Sequence, residues 1–339
     1  MAMNNTATSL WERQPQARIS LWKALEFFEA AYRARNLSPH TIAWYKQRLT
    51  PFVSNLQGRL EREPTLADLD IGGFRFFILE KQSEGKYRDH RFKRPSEEPP
   101  SAGHIHGFYR AVRGFSSWLF DEGLVPVNIM ASLKMPKLEE KELQPLTTAE
   151  ELKLLNAYSE LKPGECRDKA LFMLMLSTGL RRAEILRLKA AAVNIDEGFI
   201  TVWGKGKKQR SIPFGHKVGW VLQRYTLLHR PELATPNVGE FFLNRDGYPM
   251  TVASFEMTFK RAAKKTGIAR LHPHLLRHTY GTRSSELGIP TLTLQRFMGH
   301  SQPSVTERYS HVATNERLKR ERSYDHLDGL DLRVRRPRG

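Results

Sequence analysis

A charged, proline-bounded segment divides this chain of 339 residues into two parts. It reads Met-Pro-Lys-Leu-Glu-Glu-Lys-Glu-Leu-Gln-Pro from Met135 to Pro145 and has no long apolar stripe, as is typical of an interdomain linker. The chain length fits about two domains of roughly 100 to 200 residues each. We therefore expect a flexible N-terminus (1–19), a first domain (20–134), a linker (135–146), a second domain (147–314) and a C-terminal tail (315–339).

The first domain has apolar residues at helical spacing. One helix is predicted from Ser20, and a second begins with Ser38 as its cap and Pro39 in its first turn. A third is predicted over 70–81 and a fourth around 105–119. Residues 83–103 mix Gly, Pro and basic residues, which indicates a loop. We predict a small all-helical domain with almost no strand.

In the second domain, the spacing of apolar residues is helical at first and then becomes typical of β-strands. A capping-box pattern at 147–151 opens a helix, a buried helix follows over 168–177, and another is predicted over 181–189. The β-rich runs 199–203 and 209–213 flank Gly204-Lys-Gly-Lys-Lys208, which predicts a hairpin with a cationic tip. Further helices are predicted over 216–230, 251–266, 271–287 and 291–298, and one carrying Tyr309 from about 303. The expected fold is mainly α with a small β-sheet: an all-helical N-terminal domain and an α+β second domain.

Charge narrows the classes of partner. The 54 Lys and Arg residues against 36 Asp and Glu give a formal net charge of +18, which suits a polyanion such as DNA. A merely basic surface explains the charge about as well. The single cysteine, Cys166, excludes an internal disulfide and fits a reducing compartment; we interpret it as a helix-entry residue. No apolar run approaches the roughly 18 residues of a membrane span, and no secretory signal pattern is present.

The last third of the chain concentrates polar side chains suited to phosphodiester chemistry. His274 and Arg277 are three residues apart and share one helical face, while His300 and Tyr309 follow on neighbouring elements. Displacement at a phosphodiester builds negative charge on the phosphate oxygens, which arginine donors can stabilise. The candidates for this role are Arg277 and Arg181. A phenol is a weak nucleophile at its usual pKa of about 10, so Tyr309 would need a base or nearby cations.

These motifs together resemble the tyrosine recombinase (phage integrase, Xer-like) family over nearly the whole chain. The matching stretches are Thr178-Gly-Leu-Arg-Arg-Ala-Glu184, Gly204-Lys-Gly-Lys, His272-Pro-His-Leu-Leu-Arg-His278, Gly299-His300-Ser and Tyr309. The resemblance implies a core-type, SAM-like DNA-binding domain at the N-terminus and a catalytic domain after the linker. It implies site-specific recombination through a 3′-phosphotyrosyl intermediate and a Holliday junction, without metal, cofactor or ATP.

The resemblance also implies roles for single residues. Arg181 and Arg277 would bind the scissile phosphate, and Tyr309 would attack it. His300 would donate to the phosphate or orient the nucleophile. His274 would act as base or phosphate donor.

The remaining predicted site residues are in the hairpin, together with one acidic residue. Lys205 is the expected general acid for the leaving 5′-oxygen, although Lys207 and Lys208 lie in the same tip and remain alternatives. With Arg210, these two lysines are otherwise expected to contact DNA. Glu184, three residues after Arg181, is expected to hold that arginine in place or to form an ordinary surface ion pair.

Several residues compete for these roles. Tyr280 is the rival nucleophile, although we expect it to pack in the core. Arg182 is a decoy beside Arg181. The three histidines His272, His274 and His278 suggest zinc, but Pro273 and the lack of a cysteine partner argue against a metal site.

The resemblance implies double-stranded DNA with inverted-repeat core sites as substrate and a homotetramer as the assembly, and it allows accessory DNA-bending factors. It implies a cytoplasmic, nucleoid-associated protein. The C-terminal tail would dock on a neighbouring protomer through Leu327, Leu330 and Leu332. With about 19 residues before the first helix, we expect the two-domain type without an arm-site domain. Type IB topoisomerase-like relaxation and a non-catalytic DNA-binding regulator are the alternative functions.

Overall fold

The computed structural model describes residues 19–85, 96–138, 143–203, 209–235, 238–299 and 325–332. The chain divides into two compact units, Met1–Lys141 and Glu142–Gly339. The division falls inside the charged segment from which the sequence predicts a linker.

The regular elements described in the first unit are helices joined by loops, and Ser20 and Thr65 form an isolated β-bridge. Each of its four described α-helices begins at a serine or aspartate cap. The cap side chain accepts a hydrogen bond from a backbone N–H of the first turn, and the caps are Ser20, Ser38, Asp70 and Ser101. The helices are α1 (Leu21–Ala34), α2 (Pro39–Leu60), α3 (Ile71–Ser83) and α4 (Ala102–Asp121).

Aromatic side chains dominate the core of this unit. Phe28 of α1 meets Phe115 and Trp118 of α4 edge-on, with ring centroids 5.3 and 5.2 Å apart. Phe52 of α2 packs edge-on against Phe74 of α3 at 5.4 Å. The four predicted helices are thus confirmed, and their apolar faces bury one shared core.

The second unit contains the remaining helices and a small sheet. The central element is α6, whose residues from Cys166 to Thr178 are all buried. Its side chains are apolar or, like Arg167 and Lys169, paired with carboxylates, so the helix can lie in the interior of the unit. The helices are α5 (Thr148–Asn156), α6 (Pro163–Thr178), α7 (Arg182–Leu186), α8 (His216–Arg224), α9 (Arg230–Leu233), α10 (Val252–Thr266), α11 (Pro273–Glu286) and α12 (Thr291–Met298).

The sheet has three antiparallel strands in the order β1-β2-β3: β1 (Val193–Asn194), β2 (Phe199–Trp203) and β3 (Gln209–Pro213). The register pairs Trp203 with Gln209 and Phe199 with Pro213, which confirms the predicted hairpin arms. Strand β1 has only two residues and was not predicted. The hairpin tip, 204–208, lies outside the described residues.

The predicted helix over 216–230 is interrupted. A π-helical turn, Tyr225–His229, separates α8 from α9. The buried Tyr225 hydroxyl donates to the Phe241 carbonyl at 3.2 Å, and the His229 ring contacts the Glu160 carbonyl at 2.8 Å. These contacts with distant segments fix both ends of the turn, which is why helical periodicity alone does not reveal it.

Residues 143–146, which the sequence assigns to the linker, pack on the second unit. Leu146 is fully buried there, and its N–H donates to the Thr279 hydroxyl at 2.9 Å. Arg270 donates to the carbonyls of Gln144 and Pro145 at 2.6 and 3.1 Å. The capping box predicted for α5 forms between Thr147 and Glu150.

The C-terminal segment 325–332 packs on its own unit. The Asp325 carboxylate is buried and accepts hydrogen bonds from the Ser177 hydroxyl and from the Gly215 N–H. Leu327 is fully buried and Leu332 is 8% exposed, both within the core of this unit. In the single chain these leucines therefore occupy a site on the same molecule, whereas the resemblance implies docking on a neighbouring protomer.

In the described ranges, every helix is too short or too polar to cross a membrane.

Candidate active site

Arg181 stands at a sharp junction between α6 and α7. Helix α6 ends at Gly179, whose φ of +59° is in the left-handed region that glycine favours. A Cβ on Gly179 would lie 2.3 Å from the Tyr280 ring, so a side chain there would clash as well. The next buried residue, Leu180, fixes the chain in the core and leaves Arg181 as the N-cap of α7.

The helix predicted over 181–189 is therefore shorter than expected. Arg181 is a cap in extended conformation, and α7 ends at Leu186. The backbone that follows pairs with another segment: the Leu188 carbonyl accepts from Phe241 N–H at 2.7 Å, and Ala190 N–H donates to the Gly239 carbonyl at 2.9 Å. These pairings replace the helical hydrogen bonds that the local pattern favours.

Glu184 binds two arginines at once. Its side chain, only 8% exposed, accepts from the backbone N–H of Arg181 at 2.8 Å and from the Arg181 guanidinium at 3.2 Å. The Arg210 guanidinium contacts its two oxygens at 2.9 Å each. Burial alone would raise the pKa of Glu184, but the hydrogen bond from Arg210, the Arg181 N–H and the two positive charges lower it below its ordinary value. Glu184 is a buried anchor, and the alternative of a surface ion pair is wrong.

Arg277 is buried at the start of α11 and is 6% exposed. Its Nη1 donates to the Gly179 carbonyl and its Nη2 to the Met298 carbonyl, both at 2.6 Å. Burial and the nearby charge of Arg181 lower the pKa of Arg277 to about 10. The guanidinium therefore stays protonated at neutral pH, and it joins the end of α6 to the end of α12.

Three arginines converge on the C-terminal end of α12. Arg210 Nε donates to the Phe297 carbonyl at 2.8 Å, Arg277 to the Met298 carbonyl, and Arg181 Nη2 to the Gly299 carbonyl at 2.7 Å. Carbonyls at the C-terminus of a helix lack intrahelical partners and carry partial negative charge. Each guanidinium has five N–H donors, more than these contacts use.

The result is an anion-binding arrangement with net positive charge. Three guanidiniums surround one carboxylate within a largely buried cluster, so two positive charges remain uncompensated there. Arg181 keeps 41% of its side chain exposed, whereas Arg210 keeps only 9%. An anion can therefore reach Arg181, where the low dielectric around the cluster strengthens its attraction.

His274 lies in the first turn of α11, one turn before Arg277. Its side chain is exposed, and desolvation together with the charge of Arg277 lowers its pKa below the ordinary 6.5. The imidazole is consequently neutral at pH 7, the form that accepts a proton.

The competing residues have other roles. Tyr280 is buried at 5% exposure against Gly179, which confirms that it packs in the core. Arg182 is exposed and pairs with Glu256 of α10 at 2.7 Å. His272 is the N-cap of α11, and His278 is partly buried. Cys166 is buried in the first turn of α6, where burial raises the pKa of its thiol to about 12.

Five predicted site residues lie outside the described residues: Lys205, Lys207, Lys208, His300 and Tyr309. For the three lysines and His300 the adjoining residues are described: β2 and β3 flank 204–208, and the arginine-bound Gly299 directly precedes His300. Across the described part of the chain, no group of three or more His, Cys, Asp or Glu side chains is arranged to hold a metal ion.

Sequence reasoning missed two features of this site. One is the set of α12 carbonyls, which has no sequence signal because any residue supplies a carbonyl. The other is the contact of Arg210 with Glu184, for which the short alternation in β3 is the only hint: Arg210 and the buried Ile212 are two residues apart and lie on one face of the strand.

Comparisons with known proteins agree with this architecture. Residues 145–316 match the phage integrase family. The chain is 33% identical over 290 residues to tyrosine recombinase XerD of Listeria monocytogenes, covering 84% of this chain and 92% of that protein. It is 30% identical over 296 residues to tyrosine recombinase XerD of Pasteurella multocida, covering 86% of this chain and 94% of that protein.

Solved structures share the fold. A lambda integrase (75-356) dimer bound to a COC′ core site aligns with a TM-score of 0.63 at 18% identity, over 84% of this chain and 96% of that one. A lambda integrase tetramer bound to a Holliday junction aligns with a TM-score of 0.63 at 18% identity, over 90% of this chain and 84% of that one.

The mixed helical fold with its small sheet is thereby confirmed. The relatives named here are recombinases, which favours that class over the topoisomerase and regulator alternatives. The chain belongs to the phage integrase family and is a tyrosine recombinase, a site-specific enzyme that breaks and rejoins DNA.

Proposed function

We propose that this recombinase cleaves each DNA strand by transferring the scissile phosphate to Tyr309. The phenolic oxygen forms a bond to phosphorus, and the bond from phosphorus to the 5′-oxygen breaks. His274 takes the phenolic proton, and Lys205 gives a proton to the leaving oxygen. Attack by another 5′-hydroxyl reverses the step and rejoins the strands. Since one phosphodiester replaces another, the reaction as written needs neither metal nor ATP.

The observation that carries this proposal is the convergence of Arg181 and Arg277. Both guanidiniums donate to carbonyls at the end of α12 within 2.7 Å, and Arg181 shares its carboxylate partner, Glu184, with Arg210. Donors that are fixed before the substrate arrives stabilise a charged transition state without reorganisation. A pentacoordinate phosphate with extra negative charge is the species that such a pair fits.

His300 follows the same carbonyl run, directly after Gly299. We assign it to donate to the phosphate or to orient Tyr309, consistent with the attachment of Gly299 to Arg181.

The substrate we propose is double-stranded DNA with inverted-repeat core sites, bound by four copies of the chain. The support is the +18 charge and the likeness in fold to lambda integrase solved on a core site and on a Holliday junction. The helical unit Met1–Lys141 is the proposed core-type DNA-binding domain, and Glu142–Gly339 is the catalytic domain. Lys207 and Lys208 would contact the DNA backbone. We further propose that the protein acts on the nucleoid in the cytoplasm and that accessory DNA-bending factors assist it.

A suicide substrate tests this function. A nick just downstream of the scissile phosphate releases a short 5′-hydroxyl strand, so that religation is lost and the covalent complex accumulates. In EDTA, we expect the wild-type protein to give an adduct that resists SDS, with the linkage mapped by peptide mass spectrometry to Tyr309. An adduct at another residue, or one that requires a divalent ion, contradicts the proposal.

The role of Lys205 predicts a substrate-specific rescue. We expect Lys205→Ala to slow cleavage of normal DNA about 10²- to 10⁴-fold, the usual contribution of a general acid. A 5′-thio leaving group does not need a proton, so it should restore most of the rate in single-turnover assays. Lys207→Ala serves as the matched control and should show no thio-specific rescue. Rescue of Lys207→Ala in place of Lys205→Ala would move the role of acid to Lys207.

The role of His274 predicts a pH dependence. Only the neutral imidazole accepts a proton, and the pKa of His274 is lowered in the free protein. The second-order rate of cleavage, which reports the free enzyme, should therefore fall only below pH 6.5, as protonation removes the base. His274→Gln should be slower and lose this acidic limb. A rate that falls as pH rises through the same region would identify His274 as a protonated donor instead.

A further inference from the structure

Arg210 is the third arginine of the cluster, and we infer that it is a positioning residue that holds Arg181 and the end of α12 in their reactive arrangement. This inference rests on the proposed role of Arg181 at the scissile phosphate. It replaces the expectation that Arg210 contacts DNA.

The burial of Arg210 separates it from a DNA contact. Its side chain is 9% exposed, against 41% for Arg181. It points from β3 into the unit, where its backbone is held by pairing with Val202 of β2. A residue that neutralises a phosphate needs an accessible guanidinium, so this side chain is poorly placed to do so.

The contacts of Arg210 use three donor nitrogens. Nη1 and Nη2 contact the two oxygens of Glu184 at 2.9 Å, and Nε donates to the Phe297 carbonyl at 2.8 Å. This two-point geometry is the strong, orientation-dependent form of an arginine–carboxylate pair. Arg210 thereby ties the sheet both to α7 and to α12.

Sharing of Glu184 decides where the Arg181 guanidinium points. With Arg210 present, the carboxylate divides its four lone-pair sites between two arginines, and its contact with Arg181 Nη1 is the longer one, at 3.2 Å. Without Arg210, Glu184 would be a buried anion with one remaining cationic partner. We expect it to draw Arg181 into a closer pair, turning donors away from the phosphate.

The position of the C-terminal end of α12 also depends on Arg210. Gly299 has a φ of +63°, and a Cβ there would lie 3.0 Å from Arg210 Cζ and 3.1 Å from Arg181 Nη1. The two guanidiniums therefore flank this glycine closely. Removing Arg210 would free the Phe297 carbonyl and loosen the turn that presents the Gly299 carbonyl to Arg181.

A substrate with an uncharged scissile phosphate separates misplacement of Arg181 from a general loss of structure in the Arg210 variant. In a methylphosphonate, a methyl group replaces one charged oxygen of the scissile phosphate, so the reaction depends less on an arginine placed there. We expect Arg210→Met to slow single-turnover cleavage of normal DNA about 10- to 100-fold, the range for residues that orient a reacting group. On the methylphosphonate the loss should shrink, in parallel with the loss for Arg181→Gln.

Further variants complete the experiment. Arg210→Lys cannot span both oxygens of Glu184 and the Phe297 carbonyl, so it should rescue little. Arg210→Met combined with Glu184→Gln removes the buried charge that would be left unpaired, which protects the fold. Because both residues act through Arg181, the double variant should cleave within about 3-fold of Glu184→Gln alone. Arg182→Met, which removes an exposed arginine paired with Glu256, is the control with near wild-type cleavage.

Binding measurements test the alternative role of Arg210, a contact with a DNA phosphate. In the Glu184→Gln background, adding Arg210→Met should leave the DNA affinity and its salt dependence unchanged, because Arg210 itself contacts no phosphate. The inference is overturned if the double variant has a salt dependence weaker than that of Glu184→Gln by one phosphate contact, or if the cleavage defect of Arg210→Met is equal on both substrates, or if Arg210→Met cleaves like the wild type. Failure of Arg181→Gln to slow cleavage would instead refute the proposed function.

Discussion

Tyr309→Phe is expected to lower the SDS-resistant protein–DNA adduct to background. Phenylalanine keeps the ring but has no oxygen to bond to phosphorus, so the covalent step cannot occur. DNA binding should stay near the wild-type level, because a single hydroxyl contributes little to an interface dominated by phosphate contacts. The measurement is a suicide-substrate time course beside a binding titration.

Tyr280→Phe is the matched control for this result. Tyr280 is buried against Gly179, and the substitution keeps its ring in place. We expect this variant to form the adduct at a rate close to that of the wild type. An adduct that persists in Tyr309→Phe but disappears in Tyr280→Phe would identify the other tyrosine as the nucleophile.

Arg277→Gln is expected to slow cleavage by at least about 10²- to 10³-fold, the usual cost of removing one fixed donor to a transition-state oxyanion. The loss should appear in the rate of the chemical step at saturating DNA. Affinity should fall only modestly, with a salt dependence weaker by about one phosphate contact. Single-turnover cleavage and titrations at several salt concentrations separate the two effects.

The buried position of Arg277 makes a stability control necessary. Its guanidinium binds the carbonyls of Gly179 and Met298, and losing these bonds costs about 1–3 kcal/mol for each buried group left unsatisfied. Thermal unfolding should therefore show a destabilised but folded protein at the assay temperature. Arg182→Gln makes the same change of charge at an exposed neighbouring site and should cleave normally. Near wild-type cleavage by folded Arg277→Gln would remove it from the site.

Local patterns in the sequence predicted much of the fold. Ser38 and Pro39 mark the start of α2, and Gly299 marks the end of α12, because caps and chain breakers act through their own backbone. The hairpin arms were predicted to the residue, since their β-rich runs flank a Gly-Lys tip. The family was also evident from the sequence, because its motifs recur in order along the chain.

The errors arose where distant segments override a local preference. Arg181 caps a helix instead of beginning one, because the chain after Leu186 pairs with residues 239–241. The docking of Leu327 on a neighbouring protomer stays a prediction; in the single chain this residue packs in its own unit, where Asp325 is hydrogen-bonded to the distant Ser177 and Gly215. No pattern within a short window contains such contacts.

The sequence by itself determined the two-unit division, the order of the longer helices and of the two hairpin strands, and the residue types available for phosphoryl transfer. Only the tertiary structure decided how the arginines are used. It placed Arg181 against the Gly299 carbonyl, 118 residues further along the chain, and Arg210 against Glu184. Side-chain identity fixes what a group can donate, whereas the packing of α6, α12 and β3 fixes which acceptor it meets and which donors remain for the phosphate.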